Sequence, residues 1–208
     1  MPDNLTTTLR LMLVTDDELL AGRDVVAVCR AAVAGGVTAV QLRLKRASPR
    51  VFLETALRLR HALAVPLLVN DRPDVAAAAG VGVHLGPDDL EPALARLVLG
   101  PGALVGASVG SEEELERGVA ADYWGIGPWR HTGTKGDAGP ALGAAGFSVI
   151  ARAAGARPRL AIGGVLPGDV TEIVAAGGTG VAVVSGILGA MNIEAAARQY
   201  AEALERTA

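Results

Sequence analysis

A single (β/α)8 TIM barrel is the fold this sequence predicts, on three observations. Short apolar runs alternate with helical segments from end to end, the order of βαβ units and a parallel sheet. Eight such runs fit into 208 residues, the tally of a minimal (β/α)8 barrel. The runs are too apolar for a sheet with one wet face, so both of their faces are expected to be covered. A doubly wound open sheet is the structural rival, because periodicity alone does not distinguish an open sheet from a closed one.

Taken in order, the runs are 11–14, 39–42, 67–69, 82–85, 104–107, 123–126, 160–162 and 181–184. Ala/Leu/Arg/Glu stretches at helical spacing lie between them, among them 24–34, 49–63 and 111–119. Each run is followed by its own polar residues. Gln41, Arg43 and Lys45 follow the second, Asn70 and Asp71 the third, Asp88 and Asp89 the fourth, and Ser108 the fifth. A glycine-rich segment from Gly127 to Gly146 follows the sixth and carries Thr132, Thr134 and Lys135. The seventh ends in Gly163-Gly164 and the eighth in Val184-Ser185-Gly186. In a barrel these strand C-termini surround one mouth, so residues far apart in sequence are expected to converge there. The chain reads as one domain, 1–208, with residues 1–9 expected to form a loose N-terminal segment. It has no linker and no low-complexity stretch.

Composition narrows the function. Half the residues are hydrophobic and mean hydropathy is +0.37, yet no apolar run approaches the ~20 residues of a membrane span. The first residues carry Asp3 and no basic cluster, which argues against a secretory signal. The lone cysteine, Cys29, has no partner for an internal disulfide, and a cytoplasmic protein is expected. A net charge of -3 and an aromatic content of 3% leave neither a basic face nor stacking platforms for nucleic acid. Small-molecule ligands are expected, no membrane partner, and a homo-oligomer is compatible with the composition. An anionic ligand must then be held by local cations, backbone amides or a metal.

Those local groups are identifiable. Lys plus Arg total 19, yet lysine occurs only at Lys45 and Lys135. Both lie just past a strand-like run. An ammonium is a compact point charge and a guanidinium a planar fork, so the two are not interchangeable at a phosphate. Arg43 offers such a fork, and Lys45 and Lys135 suit neutralisation of a leaving diphosphate. Gly163-Gly164 and the Val184-Ser185-Gly186 segment read as a barrel phosphate pocket, or as tight turns without a ligand. Asp71 and Asp89, past adjacent strands, could together hold Mg²⁺. The alternatives are an Asx turn at Asn70-Asp71 and capping by Asp88 and Asp89 of a helix opening at Pro87. Thr132 and Thr134 alternate along their loop, so both hydroxyls could face one anion. Ser108 is a further donor, or a satisfied strand-end hydroxyl. His84, within the fourth run, reads as a hydrogen-bonded core histidine in preference to a catalyst. No serine–histidine–acid set and no metal-spaced Cys/His set is present. Two anion-binding regions, an Mg²⁺ pair and no nucleophile suit a transfer reaction with diphosphate as leaving group.

The motifs Val40-Gln41-Leu42-Arg43-Leu44-Lys45, Val69-Asn70-Asp71-Arg72, Gly82-Val83-His84-Leu85-Gly86, Asp122-Tyr123-Trp124-Gly125-Ile126-Gly127-Pro128, Thr132-Gly133-Thr134-Lys135 and Ala161-Ile162-Gly163-Gly164 occur in that order. Over nearly the whole chain they resemble the thiamine phosphate synthase family. The resemblance implies a (β/α)8 transferase of thiamine biosynthesis. Such an enzyme joins hydroxymethylpyrimidine diphosphate to hydroxyethylthiazole phosphate, giving thiamine phosphate and pyrophosphate. It implies Mg²⁺ on Asp71 and Asp89, and the diphosphate substrate on Gln41, Arg43, Lys45, Asn70, Ser108 and Lys135. The thiazole phosphate would meet Thr132, Thr134, Gly164, Val184 and Ser185. Lys135, Arg43 and Ser108 are the catalytic candidates.

The chain departs from the family pattern at Asp17, Pro87, Gly110 and Trp129-Arg130-His131. A thiazole tautomerase on the same barrel would not need the acid pair or Lys135. A Schiff-base aldolase would need a lysine within a strand. A phosphate-ligand sensor would bind thiamine phosphate without releasing pyrophosphate.

Overall fold

In the computed structural model, which describes residues 2–133 and 139–207, eight parallel strands close into a barrel. They are β1 (Leu11–Val14), β2 (Ala39–Leu42), β3 (Leu67–Asn70), β4 (Gly82–Leu85), β5 (Val105–Ser108), β6 (Tyr123–Ile126), β7 (Arg159–Ala161) and β8 (Gly180–Val183). Each pairs with the next in sequence, and β8 pairs back onto β1 with Leu11 opposite Val181. The open-sheet alternative is thereby excluded. The strand expected at 67–69 runs on to Asn70, and those expected at 104–107, 160–162 and 181–184 are each displaced by one residue at both ends. Apolar residues flank the last three, so composition does not mark where pairing stops.

The helices cover the outside: α1 (Pro2–Thr8), α2 (Val25–Ala34), α3 (Pro49–Ala62), α4 (Pro73–Ala79), α5 (Pro92–Leu99), α6 (Leu115–Gly118), α7 (Gly143–Ala153), α8 (Val170–Ala175), α9 (Ser185–Leu188) and α10 (Ile193–Glu205). Their starts have local causes. The side chains of Asp24, Ser48 and Asn192 accept amide hydrogens at the first turns of α2, α3 and α10, meeting donors that no helical carbonyl can reach. Prolines open α3, α4 and α5, where the missing N–H costs nothing. The segment 111–119 is shorter than a full helix: a 3₁₀ turn, Glu112–Glu114, leads into α6. The N-terminal segment expected to be loose folds as α1. Leu9 behind it is buried among the inward-facing strand residues, with Leu5 packed against them.

Strand alternation divides the core in two. Leu11, Leu13, Val40, Leu42, Val69, Val83, Leu85, Val105, Trp124, Ile126 and Val181 face outward and pack with the helices. Met12, Ala39, Leu68, Tyr123, Leu160 and Ala182 face inward and form a dry layer above Leu9. The inward residues one step further along β2 to β5 are Gln41, Asn70, His84 and Ser108, which face the mouth. A barrel interior of this size is filled by side chains, and glycines make room for the largest. A Cβ on Gly106 would stand 2.2 Å from Tyr123 Cζ, and one on Gly125 would stand 3.2 Å from His84 Cε1.

The preference for arginine also has a structural basis. Arg10, Arg60, Arg96, Arg157 and Arg159 donate to the carbonyls of Leu204, Ala79, Ala103, Ala121 and Gly177 respectively. A planar fork spans helix and loop in a way that an ammonium does not.

Candidate active site

At the C-terminal ends of the strands lies a cleft of about 630 Å³. Gln41, Arg43, Lys45, Asn70, Asp71, Asp89, Ser108, Thr132, Gly164, Val184 and Ser185 all line it. The remaining two candidates, Thr134 and Lys135, lie outside the described residues. Strands β2 to β5 supply the acids and cations. The segments after β6, β7 and β8 supply Thr132 and the glycine-rich wall, across the mouth.

The acids meet. Asp71 and Asp89 lie within hydrogen-bonding range, and the Asp71 carboxyl is pushed up to about 7. Burial is the first cause, followed by the hydrogen bond with Asp89 and that residue's charge; Lys45 and Arg43 pull the other way. Asp71 is the one described non-glycine residue at positive φ, 64°. Its amide donates to His84 O at 2.9 Å, which holds the turn in a region that aspartate tolerates better than most residues. Asp89 Oδ2 accepts from Gly86 N at 2.6 Å. The capping alternative for Asp88 and Asp89 is corrected: α5 opens at Pro92, after Glu91, so Asp89 belongs to the β4–α5 loop and Pro87 starts no helix. No cluster of three or more Asp, Glu, His or Cys occurs among the described residues. A cation here would therefore complete its shell with substrate oxygens and water.

Beneath the acids runs a buried polar chain. His84 Nδ1 lies 2.8 Å from Tyr123 Oη, and His84 Nε2 lies 3.0 Å from Ser108 Oγ. Gln41 also reaches the Tyr123 hydroxyl, and its Nε2 lies 3.8 Å from Met12 Sδ. Burial raises the Tyr123 pKa, so the phenol keeps its proton. In the tautomer in which Tyr123 donates to Nδ1, the histidine carries its hydrogen on Nε2 and donates to Ser108. The serine hydroxyl is then directed as a donor into the cleft. His84 is the hydrogen-bonded histidine expected from the sequence, and it also lines the cleft. Tyr123 was not singled out. Its partner lies 39 residues earlier, and no local signal joins the two.

On the cation side, Arg43 Nη1 pairs with Asp16 Oδ2 at 2.9 Å, both side chains about 15% exposed. Thr15 Oγ1 accepts from Arg43 N at 2.8 Å. Asp16 thus orients the guanidinium while leaving its other nitrogens available to an anion, another role the sequence reading missed.

Opposite lies the glycine wall. Gly163 and Gly164 have φ of 91° and 66°, values that cost little for glycine. Added Cβ atoms would lie 2.7 Å from Pro128 Cβ and 2.9 Å from Arg130 Cβ respectively. Both the turn and the close approach therefore require glycine. Gly164→Ala is expected to weaken binding of a monophosphate at this wall by at least about tenfold, read as KM for one substrate with the other held saturating. An unchanged KM would remove Gly164 from the phosphate wall.

Comparison with known proteins identifies the family. The TMP-TENI profile, described as thiamine monophosphate synthase, matches residues 11–187. The chain belongs to the thiamine monophosphate synthase family. It is 48% identical over 203 residues to a thiamine-phosphate synthase of Azorhizobium caulinodans, covering 95% of each chain. To the one of Xanthobacter autotrophicus it is 48% identical over 196 residues, covering 91% of this chain and 92% of the relative. A solved thiamine phosphate pyrophosphorylase from Pyrococcus furiosus superimposes with a TM-score of 0.87 at 32% identity, over 98% of this chain and 99% of that one. The chain is accordingly an enzyme of the transferase class.

The departures from the thiamine monophosphate synthase pattern have physical reasons here. Trp129 is buried and meets the Phe147 ring edge-on at 5.6 Å, taking the place of a commonly apolar residue. Arg130 pairs with the buried Asp169, and Arg130 N donates to Gly163 O at 2.9 Å. The substituted tripeptide therefore braces the glycine wall. At Gly110 a Cβ would stand 2.9 Å from Gly127 O, while Gly110 N donates to Glu114 Oε2 at 2.6 Å. Any larger residue at this position would need the loop to move. Asp17 Oδ2 accepts from Lys45 N at 2.6 Å, holding the strap that carries Lys45.

Proposed function

We propose that this chain is a Mg²⁺-dependent thiamine-phosphate synthase. It transfers the hydroxymethylpyrimidine group from its diphosphate to hydroxyethylthiazole phosphate, releasing pyrophosphate and forming thiamine phosphate. The observation that carries the reading is one cleft with two unlike anion walls: acids and cations beyond β2 to β5, and a cramped glycine wall beyond β7 and β8. In this reading Gln41, Arg43, Lys45, Asn70, Ser108 and Lys135 hold the diphosphate. Thr132, Thr134, Gly164, Val184 and Ser185 hold the thiazole phosphate.

The donor set fits the metal. Two neighbouring carboxylates are hard oxygen donors that repel each other once both are ionised, and Asp71 and Asp89 would hold the ion. When bound, Mg²⁺ neutralises charge developing on the departing diphosphate. The protein's own groups do the rest. Arg43, oriented by Asp16, and Lys135 bind leaving-group oxygens as the carbon–oxygen bond of the pyrimidine methylene breaks and its electron pair departs with pyrophosphate. Ser108, directed by His84, donates to the same substrate. The thiazole nitrogen, placed by its phosphate on the glycine wall, supplies the lone pair that forms the new carbon–nitrogen bond.

The cytoplasm is the proposed place of action, consistent with a single cysteine that is buried and has its thiol pushed up to about 12 by burial. No described helix is long and apolar enough to cross a membrane.

Selective damage to the two walls tests the reading. Ser108→Ala is expected to lower kcat, or to raise KM for the pyrimidine diphosphate, by about tenfold while leaving KM for the thiazole phosphate unchanged. Gly164→Ala is expected to do the converse. A variant that weakens both substrates equally, or the opposite one, would overturn the assignment of walls. Lys135→Ala should reduce turnover with little change in stability, and an unchanged rate would remove Lys135 from the reaction.

A further inference from the structure

The β4–α5 loop that carries Asp89 has few restraints of its own. Within it, Asp89 N donates to Gly86 O at 3.2 Å and Asp89 Oδ2 accepts from Gly86 N at 2.6 Å. A loop closed only on itself can move its carboxylate.

The external restraint comes from α6. Arg117 Nη2 donates to the carbonyls of Gly86 at 2.7 Å, Asp89 at 2.7 Å and Leu90 at 3.1 Å. Three carbonyls at both ends of one turn thus converge on a single cationic nitrogen. The arginine stands on a fixed base. Gly118, next to it, accepts from Trp124 Nε1 at 2.8 Å, and a Cβ there would stand 2.7 Å from that nitrogen. Trp124 is itself buried in the barrel wall. Arg117 Nε is the one described buried side-chain polar atom with no hydrogen-bond partner. The guanidinium is therefore oriented for the loop carbonyls at the expense of its own third nitrogen.

We propose that Arg117 is a positioning residue for the metal: by gathering the Gly86, Asp89 and Leu90 carbonyls on one nitrogen it fixes the Asp89 carboxylate beside Asp71. This rests on the Mg²⁺ reading given above. Arg117 faces loop carbonyls and is not among the residues lining the cleft, so it acts only through Asp89. Groups that orient metal ligands typically change metal affinity by 10–100-fold when removed.

The test is Mn²⁺ binding, by electron spin resonance, to the intact protein in the presence of inorganic pyrophosphate, paired with the Mg²⁺ concentration giving half-maximal rate. Arg117→Met keeps the length of the stem and removes the donors. It is expected to weaken Mn²⁺ and raise the Mg²⁺ midpoint by about tenfold, with a smaller loss of kcat at saturating Mg²⁺. Arg117→Lys, which restores a cationic donor, is expected to fall between the two. If Arg117→Met does not fold by circular dichroism, Arg117→Gln is read in the same way. A folded variant with wild-type Mn²⁺ affinity and Mg²⁺ midpoint, differing only in thermal stability, would overturn the positioning role and leave the metal reading standing. Failure of the wild-type protein to bind Mn²⁺ or to respond to Mg²⁺ would overturn both.

Discussion

Asp71→Asn is expected to make the metal-free protein more stable at pH 8 while lowering turnover by about 100-fold or more, the upper end of what even an indirect metal partner costs. Asparagine preserves the shape and tolerates the left-handed backbone at φ 64°, so the variant changes charge and little else. The direction follows from the carboxyl's pKa of about 7, against an ordinary 3.8. A folded-state pKa raised in this way means that the folded protein holds the proton more tightly than the unfolded chain. That contribution to stability is fully present below about pH 4 and is lost as the pH rises through 7. Above pH 7 the folded protein bears a buried charge on Asp71, beside the charge of Asp89, and asparagine removes both the desolvation and the repulsion. Each kcal/mol relieved corresponds to about 2–4 °C in Tm for a chain of this length. The measurement is thermal unfolding in a chelator at pH 5 and pH 8, repeated with Mg²⁺ and pyrophosphate. The variant's advantage should be larger at pH 8, and added Mg²⁺ should stabilise the parent but not the variant. An equal Tm difference at both pH values, or an equal response to Mg²⁺, would contradict the pairing of Asp71 with Asp89.

Gly106→Ala is expected to cause a large loss of stability. The new Cβ would lie 2.2 Å from Tyr123 Cζ and 2.5 Å from its hydroxyl oxygen. The obstructed atoms form a rigid ring in the dry layer, with the hydroxyl held by His84. Overpacking of this kind costs about 3 kcal/mol or more, or about 6–12 °C in Tm. Activity should fall as well, because displacing Tyr123 releases the histidine that directs Ser108. Gly106→Ala combined with Tyr123→Leu separates the two consequences. The double variant should recover much of the stability, since the ring that clashed is gone, but not the activity, since the hydroxyl is gone too. Stability losses that simply add would show that the two positions do not share this space.

The legible parts of the molecule were those set by local chemistry. Alternation of apolar runs with helical segments marked all eight strands, because a strand covered on both faces must be apolar throughout. Polar residues just past those runs marked the cleft, because strand C-termini share one mouth in a barrel. What escaped was contact between segments. The helix expected at Pro87 begins instead at Pro92, since two prolines five residues apart offer equivalent start signals and the one at Pro87 is held in the Asp89 loop. Tyr123 read as a strand residue, and only the barrel brings it to His84 and Gln41. Nothing local in the sequence marks the roles of Asp16 and Arg117. Their roles depend on Arg43, 27 residues later, and on a loop some 27 to 31 residues earlier. The N-terminal residues read as loose because a short polar helix with one leucine carries little pattern, yet Leu9, just past it, is buried against the inward-facing strand residues.

The reaction proposed for this cleft joins two substrates with departure of pyrophosphate. Its most direct test is to incubate the purified protein with hydroxymethylpyrimidine diphosphate, hydroxyethylthiazole phosphate and Mg²⁺, and to quantify both products in the same sample. Thiamine phosphate would be read as its fluorescent thiochrome and pyrophosphate by an enzyme-coupled assay. The expected result is equal amounts of the two, formed only when both substrates and Mg²⁺ are present. Folded protein that forms neither product from verified substrates, or that binds thiamine phosphate without releasing pyrophosphate, would contradict the proposal.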